Sequence, residues 1–158
     1  MVHAEAARAV DAEPREVLEF CLDLESYLQI DRKIIKVYEC LPSTAGGDFG
    51  LLVRVKICGP LRPKLRLDVH LDRWKSITFR QTGGRLTSRF FELRGEIRAE
   101  ILDEGTLVAS SYQAEAKGLL QWPVSRLLKR WLQRNVELEL DHLAVKFNPD
   151  VVEIRRDK

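Results

Sequence analysis

From Lys33 the chain repeats one pattern, apolar residues at every second position, and at Pro123 it changes to one long helical period. Leu51, Val53, Val55 and Ile57 share one phase, with Arg54 and Lys56 on the other. Leu65, Leu67, Val69 and Leu71 oppose Lys64, Arg66, Asp68, His70 and Asp72 in the same way. Such alternation predicts strands with one face packed and one in water. The linkers are too short for helical crossovers, so the strands pair antiparallel. The pattern continues through Ile77 and Phe79, a turn at Gly83-Gly84, and a strand expected over 85–102. There Phe91, Leu93, Ile97, Ala99 and Ile101 share a face with Thr87 and Arg89. Gly95 in its middle predicts a bulge or a sharp bend. Asp103-Glu104-Gly105 reads as a tight hairpin, and the last strand puts Val108, Ser110, Tyr112, Ala114 and Ala116 on the inner phase.

The closing helix is expected to start near Pro123 and run to about Lys146, a rod of roughly 36 Å. One stripe holds Leu120, Val124, Leu127, Leu128, Trp131, Asn135, Leu138, His142 and Val145, and a flanking stripe adds Leu132, Val136 and Leu143. So wide an apolar face needs a large concave partner, and a curled sheet of six or seven strands supplies one. Before the strands, Val2 to Val10 reads as a first strand. Pro14 then opens a helix with Asp11 or Glu13 as its cap, and a second short helix runs from Ser26 to Ile30.

At 158 residues the chain is expected to form one domain over 1–158, with 147–158 a tail. Apolar content of 45% and charged content of 32% suit an ordinary globular protein. A formal charge of +2, with acids and bases interleaved along the sequence, gives no argument for nucleic acid and shows no single patch. No apolar run approaches the ~18 residues of a membrane span. Glu5 and Arg8 do not suit a signal peptide. Cys21, Cys40 and Cys58 are widely spaced, and His3, His70 and His142 lack ligand spacing. A soluble cytoplasmic protein with reduced thiols, no metal and no cofactor is expected.

Several segments carry a resemblance. Ala9-Val10-Asp11-Ala12-Glu13-Pro14-Arg15-Glu16-Val17 looks like a strand-to-helix opening of the START-like or SRPBCC superfamily. The strand from Phe90 to Ile97 with its Gly95, then Glu104-Gly105-Thr106, resembles that family's penultimate hairpin, and a terminal helix near a proline completes the likeness. The order of elements is similar to the polyketide cyclase/dehydrase group, although Asp23-Leu24-Glu25-Ser26-Tyr27 stands where many relatives carry a tryptophan-containing segment. The resemblance implies an α+β helix-grip fold, about seven curved antiparallel strands around a long C-terminal helix. It also implies a cavity for lipids, sterols, polyketides, hormones or quinones. Some members are cyclases or dehydratases and others carriers, so fold leaves activity open.

The expected ligand-binding wall comprises Val53, Val55, Leu67, Val69, Phe79, Phe91, Leu93, Tyr112, Leu128, Trp131, Asn135, Leu138 and His142. Inward polar residues are the informative ones, because an unpaired buried polar group costs roughly 1–3 kcal/mol. Asn135 and His142 share one helix stripe, and His142 has the chemistry of an acid or base. The competing reading puts His142 near the helix end, against the negative pole of the dipole. Arg89, with Thr87, and Tyr112, with Ser110, lie on neighbouring inner phases. A guanidinium beside a phenol would bind an anionic or enolate oxygen. Alternatively, Arg89 leans out of the mouth on its alkyl stem. Carboxylates fall mainly on outward phases, and no nucleophile elbow, phosphate loop or zinc-protease motif occurs.

Three functions compete on these grounds. The first is a binder or carrier of an apolar molecule such as a lipid, isoprenoid or polyketide. The second is a cyclase or dehydratase using Arg89, Tyr112 and His142. The third is an interaction module with an exposed patch around Trp122 and Leu140.

Overall fold

The computed structural model describes residues 1–43, 46–57, 62–83, 91–117 and 121–148, with backbone alone at 91, 116 and 121–124. The alternating segments form β1 (Val2–Val10), β2 (Ile34–Leu41), β3 (Phe49–Val55), β4 (Lys64–Asp72), β5 (Ser76–Gly83), β6 (Phe91–Ile101) and β7 (Thr106–Ala116). They pair antiparallel in one seven-stranded sheet, in the order β1-β7-β6-β5-β4-β3-β2. Helices α1 (Pro14–Leu22) and α2 (Leu24–Ile30) bridge β1 to β2, and α3 (Gln121–Phe147) closes the chain. This is the helix-grip fold. The expected features at Gly84, Thr87, Arg89, Leu120, Cys58 and the tail beyond 148 lie outside the described residues.

Glu13 caps α1 through a reciprocal capping box with Glu16, and Pro14 takes the first turn, where a missing N–H is harmless. Asp23 both ends α1 and caps α2, accepting from the Glu25 amide. Gly105 has φ +80°, and any Cβ there would overlap the Val10 carbonyl, so the β6–β7 turn requires glycine.

Gly95 is neither a bulge nor a register break. Pairing runs unshifted past it to both neighbours, Phe79 on β5 and Tyr112 on β7. Its missing side chain is occupied instead by the Phe79 ring, whose two Cε atoms lie 2.6 and 2.8 Å from where a Cβ would stand. That ring then packs on Tyr112 at 5.2 Å between centroids.

The helix is rotated from its expected phase. Leu128, Leu132, Val136, Leu140 and Leu143 are buried, whereas Leu127 and Val145 are 62% and 50% exposed. The stripe read as flanking is therefore the core stripe. Glu139 sits within it at 3% exposure, and that carboxylate is what disguised the phase.

The interleaved charges also regroup in space. Register sets Lys36 opposite Arg54, and Arg54 opposite Lys64, on three adjacent strands. All three cations gather on the Tyr38 ring, at 5.1, 5.7 and 4.5 Å. A local basic row thus exists where the linear pattern shows none, because cross-strand neighbours are distant in sequence.

Candidate functional site

The inner sheet face, the α1–α2 bridge and α3 enclose a cavity of about 80 Å³ with an almost wholly apolar wall. Of the expected wall residues, Val55, Leu67, Val69, Phe79, Leu93, Tyr112 and Trp131 line it. Val53 and Leu128 are fully buried but pack behind the wall. Cys21, Leu22, Leu24, Tyr27, Asp31, Lys33 and Ile34 were not expected there, although the α1–α2 bridge and the start of β2 bring all of them to the wall.

At one side the wall conceals an ionic cluster. Lys33 Nζ pairs with Glu139 Oε2 and lies 3.3 Å from Asp31 Oδ1. Tyr27 donates to Glu139 Oε1 at 2.6 Å, and Tyr112 donates to Glu139 Oε2 at 2.8 Å. The Lys33 ammonium also stands 4.3 Å from the centre of the Tyr112 ring. Asp31, Lys33 and Glu139 are 2%, 7% and 3% exposed. Burial of three charges is tolerable only because each meets an opposite charge or a hydrogen-bond donor. Glu139 on α3 is the hub that ties the helix to α2, to the start of β2 and to β7.

Titration of the cluster follows from the same geometry. Burial, then the Glu139 charge, pushes both tyrosines well above their ordinary 10.0. Burial alone would lower Lys33, but attraction to Asp31 and Glu139 outweighs it and holds the ammonium well above 10.5. Burial raises Asp31 above its ordinary 3.8, with Lys33 opposing. Cys21, buried beside the cluster, is raised above 9.0 by desolvation and then by Glu139.

Cys21, Tyr27, Lys33 and Tyr112 therefore keep protons in the folded chain at a pH where the unfolded chain has released them. Their stability contribution is complete below about pH 9 and is lost progressively as pH rises beyond it. Each fully withheld proton steepens the loss by ~1.4 kcal/mol per pH unit. The urea midpoint is expected to fall sharply between pH 8 and pH 11, and less sharply in Tyr27→Phe. Equal midpoints at both pH values would mean that the cluster does not hold its protons.

The polar candidates among the described residues do not converge. Asn135 donates to the Trp131 carbonyl one turn back, at 2.6 Å. His142 Nδ1 donates to the Ile30 carbonyl at 3.2 Å, fastening α3 to the end of α2. Neither lines the cavity, and Leu138, half-buried, does not line it either. Arg89 lies outside the described residues, and for Phe91 only the backbone is described. Of the described members of the expected catalytic set, Tyr112 reaches the wall and His142 does not, and the Tyr112 hydroxyl is given to Glu139. The signal for the missed cluster was Glu139 itself, a carboxylate at the spacing of Leu132, Val136 and Leu143.

Leu140, expected on an exposed patch, is 1% exposed, and the Trp122 side chain is not described. Among the described residues no group of three metal-ligating side chains occurs, and no helix is long and apolar enough to cross a membrane. Cys21 is buried and Cys40 exposed, both as free thiols.

A family model described as polyketide cyclase / dehydrase and lipid transport matches residues 1–148. No curated protein matches the sequence. The Zhui aromatase/cyclase from Streptomyces sp. R1128 is 23% identical with a TM-score of 0.70, covering 94% of each chain. A START superfamily protein from Mycobacterium smegmatis is 16% identical with a TM-score of 0.71, covering 91% of this chain and 97% of that one. The protein TTHA0849 from Thermus thermophilus gives 19% identity and a TM-score of 0.72, covering 90% of this chain and 94% of that one. At these identities the solved structures speak for the fold.

Proposed function

The chain belongs to the polyketide cyclase / dehydrase and lipid transport family, and on that premise we propose that it binds an apolar small molecule between the sheet and α3. The observation that carries this reading is the disposition of the cavity's polar groups. Tyr27, Asp31, Lys33 and Tyr112 all reach the wall, yet they are engaged with one another and with Glu139. What faces the cavity is aliphatic and aromatic surface, which rewards an apolar guest at ~25 cal/mol per Å² buried. A lipid, isoprenoid or polyketide-like guest suits that wall. The volume of about 80 Å³ is well below the ~300 Å³ of a usual ligand pocket. Larger guests enter by displacing half-buried rings on the wall, which are Phe49, Phe79 and Trp131.

A cyclase or dehydratase is the second reading, and Lys33 beside Tyr112 is what favours it. An ammonium and a phenol at an apolar wall would stabilise a developing enolate, provided Glu139 released them. Titration with N-phenyl-1-naphthylamine, together with native mass spectrometry of freshly purified protein, separates the two. Saturable one-to-one binding that survives in Lys33→Met would support a binder. Loss of turnover of an identified co-purified guest in that variant, with binding intact, would support the enzyme. Protein that carries nothing and fails to bind the dye would sink both.

A further inference from the structure

We infer that the Gln81 carboxamide is the anchor for the polar end of the guest, and that this end is an uncharged group carrying a hydrogen-bond donor and acceptor side by side. The inference rests on the cavity being a binding site, as proposed above. Gln81 continues the inward row of β5 after Ile77 and Phe79, both of which line the cavity, and stands just beyond that wall, where a guest that displaces Phe79 would meet it. Its partner across the ladder, Leu67, lines it too. Gln81 is 7% exposed, yet neither its amide nitrogen nor its amide oxygen meets a hydrogen-bond partner among the described residues.

The strand is also built irregularly at this point. Arg66 pairs with Gly83 but Leu67 pairs with Gln81, so Thr82 is an extra residue and β5 carries a bulge. Thr82 itself turns outward to Asp68, donating at 3.2 Å. Bulges of this kind re-aim neighbouring side chains. A leucine would fill the Gln81 position with the same bulk and no orphaned groups, so the amide is costly for folding alone.

An amide open at both nitrogen and oxygen complements another carboxamide, a neutral carboxylic acid, or a hydroxyl adjacent to a carbonyl. An ionised end is disfavoured. Among the described residues the one cation on the wall, Lys33, already meets Asp31 and Glu139, so none of them offers a free counter-charge to a carboxylate at Gln81.

The test uses a matched pair, 2-naphthamide and 2-ethylnaphthalene, each displacing N-phenyl-1-naphthylamine from wild type, Gln81→Leu and Gln81→Met. Both variants are expected to weaken the amide relative to the hydrocarbon by about tenfold, the worth of one to two hydrogen bonds. Their thermal midpoints are expected to rise as the orphaned amide disappears. An unchanged ratio with normal hydrocarbon binding would overturn the anchor while leaving the cavity reading intact, and would mean that water satisfies the amide. Absence of binding by every compound to wild type would remove the cavity reading, and the anchor with it.

Discussion

Replacing Glu139 by alanine is expected to destabilise the fold by ~3–5 kcal/mol, the largest effect of any single substitution in the described core. The loss has three parts. Lys33 keeps only Asp31 as a buried counter-charge, at 3.3 Å. The Tyr27 and Tyr112 hydroxyls both lose their acceptor while remaining buried. A cavity opens under α3, between Val136 and Leu143. In a domain of this size, a loss of that order lowers the melting temperature by roughly 10 °C or more. A cycle with Lys33→Met identifies the cause. The loss in the double variant is expected to fall well short of the sum of the two single losses, because the Lys33–Glu139 attraction can be lost only once, while Asp31 is left without its counter-charge. Additive losses in the double variant would show that Glu139 acts through packing, and a loss below ~1 kcal/mol in Glu139→Ala would mean that the cluster is solvated.

Gly95→Ala carries the second largest expectation, and it reads on the cavity directly. The new methyl would coincide with the edge of the Phe79 ring. Neighbouring strands hold the backbone on both sides in unshifted register, so the ring must move rather than the strand. Phe79 lines the cavity, so a shift of its ring changes the space a guest would use. Overpacking of this kind costs ~1–3 kcal/mol, and the displaced ring competes with any guest. The expected result is reduced stability together with at least a tenfold loss of N-phenyl-1-naphthylamine affinity, where ~1.4 kcal/mol corresponds to tenfold. Adding Phe79→Leu should recover binding and part of the stability. Unimpaired binding in Gly95→Ala would show that Phe79 does not border the guest.

Most of the architecture was legible in the alternation. The phases of β3 through β7 follow directly from Leu51-Val53-Val55, Leu65-Leu67-Val69, Ile77-Phe79, Leu93-Ile97-Ala99 and Val108-Ser110-Tyr112-Ala114. A period of two leaves only two choices of face, and one of them is solvent. A helix offers no such binary choice. With apolar residues at 127, 128, 131, 132, 136, 138, 140 and 143 to 145, interrupted by Asn135 and Glu139, several rotations of α3 bury similar area. The expected stripe was one residue out of phase, and the misplacement of Asn135, Leu138 and His142 follows from that single error.

The strands, their inward faces, the two bridging helices and a long helix for the sheet to grip are all consequences of local period, caps and turns. Nearby residues decide these among themselves, so the linear order of side chains is enough to place them. Contacts between distant segments are another matter. That Tyr27, Asp31, Lys33, Tyr112 and Glu139 meet, that Gly95 makes room for Phe79, and that Gln81 stands unpaired at a bulge emerged only from the assembled fold. Each of those facts depends on groups far apart in the chain. Glu139, for instance, is 106 residues from Lys33. Whether a buried charge or amide is satisfied depends on what packs against it, and that is settled only when the helix has seated on the sheet.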